Sequence, residues 1–226
     1  MIYEKNSDVH ELIVIAVCGG GRYEESDYLA ADDQGASIVN IEQAATELNS
    51  LPEEKISVNE ERDLIFLREE EKVARDAYLK IFDVNEIDIF MNIADVEQSH
   101  TDAVKILLDK YLIADPVTDD TVGLFTNPDL QAIYDDLVSA GSQSLEAAIK
   151  VGLEVEELDI KDIRIFRGRA DNEDILLVYE SLEKDSRNHL RSFWKLLTDK
   201  GYCYVPKHLS QEAFYAIVNS EMETAQ

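Results

Sequence analysis

The sequence predicts an all-α chain, an antiparallel four-helix bundle with one long crossover that contains a short helix, preceded by an N-terminal arm. Three observations carry this. Four long stretches repeat apolar residues at steps of three and four, the period of a helix with one buried face. The first two and the last two stretches are joined by short links, while the middle link, about 113–143, is long. That is the connectivity of an up-down bundle with a single crossover. Each stripe, finally, is interrupted near its middle by a Glu or a His.

Residues 1–56 read as the arm. Within it, Leu12 to Cys18 (LIVIAVC) is the only apolar run that could serve in targeting, and Gly19-Gly20-Gly21 follows it. The run is far below the roughly 20 apolar residues of a membrane span. The Cys at its end faintly resembles a lipoprotein anchor, but Val17 occupies a position that usually needs a small residue, and Glu4, Asp8 and Glu11 make the flank acidic. Cytoplasmic location is therefore expected, with an extracytoplasmic lipoprotein as the alternative. A short helix is expected around Ile41 to Leu48.

The bundle is expected over 57–219, with 220–226 as a tail. Ser57-Val58-Asn59-Glu60 has capping-box spacing. The stripe that follows runs Leu64, Leu67, Glu71, Ala74, Tyr78, Phe82. Glu71 is its one acid, and at 100° per residue Glu69 and Glu70 point away from its centre, so both are expected on the surface. The second helix, from about Ile89 to Leu112, carries Phe90, Ile93, Glu97, His100, Val104, Leu107 and Tyr111 on one face. In the crossover, Asn127-Pro128 reads as an N-cap with Pro at the first helical position, and the short helix should run to Ala140 before Gly141. Ser142 or Ser144 caps the third long helix, expected to reach Arg167. Leu145, Ile149, Gly152, Ile160 and Ile163 set its stripe, with Glu156 at the centre and Asp159 near the edge. Glu154 and Glu157 fall outside the stripe and are expected in solvent. Gly152 lowers helix propensity by roughly 1 kcal/mol relative to Ala and makes room for a close neighbour or a ligand. The fourth helix, about Glu173 to Asp199, has Ile175, Val178, Leu182, His189, Phe193 and Leu196 in line. Ser210 can cap a short terminal helix.

Charge narrows the partners. The 226 residues include 48 acidic and 21 basic side chains, a net charge of −27, with 45% apolar residues. Phosphate contacts need a basic footprint, so nucleic acid is excluded as a partner, whereas cations would gather near such a surface. Cys18 and Cys203 form no CxxC and no disulfide framework.

Taken singly, an inward His is usually a hydrogen-bonded core residue, and an inward Glu can be salt-bridged, here to Arg75 or Arg187. Taken together, Glu71, Glu97, His100, Glu156, Asp159 and His189 would place several unpaired carboxylates around one axis, where burial and mutual repulsion disfavour ionisation. Two divalent ions remove that conflict. Carboxylate and imidazole donors suit iron or manganese, and a Glu-x-x-His pair such as Glu97–His100 is the unit of di-iron bundles.

Glu71 to Tyr78 (EKVARDAY) resembles the E-x-x-A-x-x-x-Y signature of rubrerythrins and ferritins, and Glu97-Gln-Ser-His100 resembles their second-helix motif. With GLFTNPDLQAIYDDLV and SRNHLRSFWKLL, the chain from about 59 to 214 is similar to a ferritin-like branch known as a domain of unknown function. The resemblance implies a ferritin-like bundle in which Glu71, Glu97, His100, Glu156 and His189 ligate two iron ions, with manganese as the alternative. It implies oxygen, peroxide or iron redox chemistry of the ferroxidase or peroxidase kind, without a rubredoxin-like Cys domain. Ser186 departs from the pattern, standing where a second Glu-x-x-His needs Glu. Asp159 or Asp185 could supply the missing carboxylate. Tyr78 could hydrogen-bond a ligand or pack in the core. Expected partners are thus metal ions and oxygen or peroxide, with a homodimer compatible. A non-catalytic metal-binding or storage module, and a purely structural bundle, remain the other readings.

Overall fold

The computed structural model describes residues 41–224, and all regular structure in them is helical, with no strand. The Cys18 run lies outside the described residues. The helices are α1 (Ile41–Ser50), α2 (Val58–Asn85), α3 (Asp88–Lys110), α4 (Pro128–Gly141), α5 (Leu145–Arg167), α6 (Glu173–Asp199) and α7 (Gln211–Val218). None is long and apolar enough to cross a membrane.

Local chemistry sets most boundaries. Ser57 Oγ accepts from the Glu60 amide (3.2 Å) while Glu60 Oε2 accepts from the Ser57 amide (2.9 Å), closing the capping box. Asn127 caps α4 by accepting from the Asp129 amide, with Pro128 first in the helix. Ser144, rather than Ser142, caps α5 through the Ala147 amide, and Ser210 caps α7 through the Ala213 amide. The α2–α3 link is tighter than expected. α2 continues to Asn85, and Glu86 turns the chain in the left-handed region (φ 50°) while its amide returns to Phe82 O at 2.8 Å.

Helix α2 packs on α3, α3 on α6, α6 on α5 and α5 on α2; α4 lies against α2 and α5, α1 on α3, and α7 on α6. The buried apolar side chains fall into two main clusters. One holds Ala74, Tyr78, Phe90, Ile93, Leu153 and Phe193. The other holds Leu64, Leu67, Leu107, Ile163, Val178 and Leu182. Along α2 and α6 the second cluster is met before the first, and along α3 and α5 the first before the second. What separates the clusters is a buried layer of Glu and His.

Three acids expected in solvent are buried. Glu69 is 3%, Glu70 7% and Glu157 0% exposed. The crossover buries the first two. Glu69 accepts from the Thr126 amide (2.5 Å) and the Asn127 amide (3.0 Å), pinning the start of α4, and α4 covers the side of α2 that carries Glu70. Glu157 accepts from Tyr204 Oη (2.7 Å) and from the amides of Lys207, His208 and Leu209. Glu154 stays at the rim, paired with Lys207 at 2.5 Å. The crossover is held further by Lys72, whose Nζ reaches Asp76 (2.6 Å) and the carbonyls of Thr121 and Leu124.

The segment after α7 returns to α6. Glu223 meets Arg187 (2.6 Å) and Arg191 (2.7 Å), and its amide donates to Asn188 Oδ1 (2.9 Å). Burial alone would raise the Glu223 carboxyl, but the two guanidiniums hold it down to about 2, from 4.5. A carboxyl depressed on folding stabilises above its unfolded pKa, and that contribution fades as pH falls through the folded value. The contact is therefore complete above pH 4.5 and lost as pH falls toward 2. An NMR titration of Glu223 is expected to give the depressed midpoint, and Arg191→Ala to raise it.

Candidate metal centre

Glu71 on α2, Glu97 and His100 on α3, Glu156 on α5 and His189 on α6 meet in the polar layer, each at most 2% exposed. They form two groups of side-chain atoms that could hold a metal ion. Glu71, Glu97 and His100 make one, and Glu97, Glu156 and His189 the other; within each, the ligand atoms lie within 4.8 Å of one another. Glu97 is common to both. Its Oε2 sits 2.8 Å from His100 Nδ1, and its Oε1 sits 3.0 Å from His189 Nδ1. Glu71 Oε2 is 3.2 Å from His100 Nδ1, and Glu156 Oε2 is 3.4 Å from His189 Nδ1. The two imidazoles lie nearly parallel, centroids 6.0 Å apart.

Hydrogen bonding leaves this layer incomplete. Glu71 Oε1, Glu97 Oε1, Glu156 Oε2 and both ring nitrogens of His189 have no hydrogen-bond partner despite burial. The His189 contacts are close in distance without hydrogen-bond alignment. Buried polar atoms are rarely orphaned, so convergent orphans on four side chains require a physical reason. Pairing to an arginine does not supply one. Arg75 is engaged by Asp76, Asp120 and Gln98, and Arg187 by Glu183 and Glu223.

The outer contacts orient the donors. Asp185 Oδ2 is 3.3 Å from His100 Nε2, leaving Nδ1 to face the carboxylates. This carboxylate–histidine arrangement fixes ring orientation in metal sites. Asp185 thus faces the far side of His100 rather than joining either group, and Ser186 Oγ turns back to Leu182 O. Tyr78 Oη donates to Glu156 Oε1 (2.5 Å), which occupies that oxygen and leaves Oε2 toward His189. Gly152 serves packing: a Cβ there would lie 2.7 Å from the Phe193 ring.

The electrostatics follow from burial. Burial lifts the Glu71 carboxyl to about 8. It would lift Glu97 too, but His100 and His189 hold that group far below the usual range. Burial would lower His189, yet Glu156 and Glu97 raise it to about 10, and His100 is likewise raised, by Glu97, Asp185 and Glu71. Protons on the imidazoles and on Glu71 balance the carboxylates where no cation does so.

Asp159 is the exception among the expected ligands. It is buried, but it belongs to neither group, and its Oδ2 has no partner. Periodicity within one helix marks neither Asp185 as an orienting group nor Glu70 as a buried acid. The available signal for Glu70 was the apolar set Leu130, Tyr134 and Leu137 on α4, which needs a helix face to cover.

A family described as an uncharacterized protein domain (DUF2202) matches residues 60–221. The chain is 47% identical over 176 residues to the uncharacterized protein MJ0754 of Methanocaldococcus jannaschii, spanning 78% of this chain and 95% of that protein. The crystal structure of hypothetical protein MJ0754 is similar to it with a TM-score of 0.75 at 47% identity, covering 76% of this chain and 99% of that one.

Proposed function

The chain belongs to the DUF2202 family, and from that premise we propose that its polar layer is a two-metal carboxylate centre in a ferritin-like bundle. The order in which the helices meet the two apolar clusters supports antiparallel neighbours around the ring α2–α3–α6–α5. The observation that carries the metal reading is the division of Glu97, one oxygen toward each His, with orphaned oxygens beside it. A carboxylate so placed can bridge two ions.

In this reading Glu71 and His100 hold one ion, Glu156 and His189 the other, and Glu97 both. The donor set of carboxylates and imidazoles fits iron, with manganese as the alternative. Two such ions would supply electron exchange with oxygen, peroxide or ferrous iron. The protein's part is positional. Asp185 holds the His100 ring, Tyr78 fixes Glu156, and Tyr78, Phe90 and Phe193, packed within 6.0 Å of one another, close the layer on one side against water.

Reconstitution with ferrous iron under argon is the first test: about two ions per chain are expected, and a pure chain that takes up none would overturn the centre. Admitting oxygen then separates turnover from storage. Uptake coupled to iron oxidation supports redox chemistry, and its absence supports a binding module, a reading that the net charge of −27 also favours. Metal must displace the protons on His100, His189 and Glu71, so loading near neutral pH should release up to about three protons per chain and weaken as pH falls from about 10. Calorimetry in buffers of different ionisation enthalpy checks this.

A further inference from the structure

A cavity of about 50 Å³ lies among α2, α4 and α5. Its walls are mostly apolar, with Val73, Leu130 and Leu137 among them, but three carboxylates line it: Glu70, Asp159 and Asp162. Glu70 is 7% and Asp159 2% exposed, and Glu70 Oε2 and Asp159 Oδ2 have no hydrogen-bond partner. Asp162 stands nearer the surface, its side chain 19% exposed and paired with Lys161 Nζ at 2.9 Å. Ile133, also on the wall, is 37% exposed, so the cavity has a solvent edge.

An apolar pocket gives a carboxylate nothing to bond, and a second carboxylate beside it makes ionisation harder. Oxygen-only donors, with no imidazole or thiolate among the lining residues, favour hard divalent cations that keep part of their water shell. The cavity exceeds the roughly 30 Å³ that one water occupies in the liquid. We propose that Glu70, Asp159 and Asp162 form a separate outer site for a hydrated hard divalent cation. Its donors are its own, none of them shared with the two groups around Glu97.

Manganese(II) titration of the full chain, followed by calorimetry and by electron paramagnetic resonance, tests it. Asp159→Asn with Asp162→Asn should bind one equivalent fewer than the unmodified chain, with the loss confined to an isolated six-line signal. Glu70→Gln, close in shape to the native side chain, should give the same loss, and circular dichroism confirms that each variant is folded. Equal stoichiometry in all three proteins overturns the outer site while leaving the central reading in place. An equivalent that survives Glu97→Ala but vanishes in Asp159→Asn/Asp162→Asn supports the outer site even where the central reading fails. No binding in any protein overturns both.

Discussion

Glu97→Ala is expected to abolish metal binding at both central positions together, from about two ions per chain to about none. Each of its oxygens faces a different imidazole, at 2.8 and 3.0 Å, so no other single side chain belongs to both groups. Truncation removes the carboxylate that the two imidazoles hold below its usual range, and with it a charge that both positions share. His189→Ala removes a ligand from one group only and should leave weaker, partial loading. Glu154→Ala is the control. That side chain sits at the rim against Lys207 and His208, so stoichiometry should not change. Metal analysis after anaerobic reconstitution and desalting reads all three. Full loading of the Glu97 variant would remove the shared-carboxylate arrangement from consideration.

Glu157→Ala should have the opposite profile, with stability lost and metal kept. One fully buried carboxylate holds the amides of Lys207, His208 and Leu209 and the hydroxyl of Tyr204. Its removal leaves those donors facing a cavity, and we expect a loss of about 3 kcal/mol. In a chain of this size that corresponds to a fall in Tm of about 6–12 °C. Scanning calorimetry measures it, and iron content in the same samples should match the unmodified chain.

How much was legible in the sequence depended on how local the cause was. The boxes and caps at Ser57, Asn127, Ser144 and Ser210 lie within three residues of the groups they satisfy, and their spacing is sufficient. Glu71, Glu97, His100, Glu156 and His189 were legible because each breaks an apolar stripe that its own helix defines. Glu69, Glu70 and Glu157 were not. They face segments 116–127, α4 and 204–209, which return from far along the chain, and a single-helix phase cannot register a second buried face. The same limit applies to Asp185. Its spacing to His189 suggested a substitute ligand, while its partner is an imidazole 85 positions away.

The layer that divides the two apolar clusters also bears on how far this chain stands from its own stability optimum. Four helices that could share one unbroken core instead carry five ionisable groups through its middle. Replacing buried ionic groups by fitted apolar ones often stabilises a protein by about 1–4 kcal/mol. A variant with Glu71, Glu97, His100, Glu156 and His189 exchanged together for leucine and methionine would merge the clusters. It is expected to withstand more denaturant than the metal-free chain and to bind no ion at the centre. The native sequence has in effect exchanged tolerance to unfolding for an ionisable interior, and the difference between those two denaturation midpoints would measure that exchange.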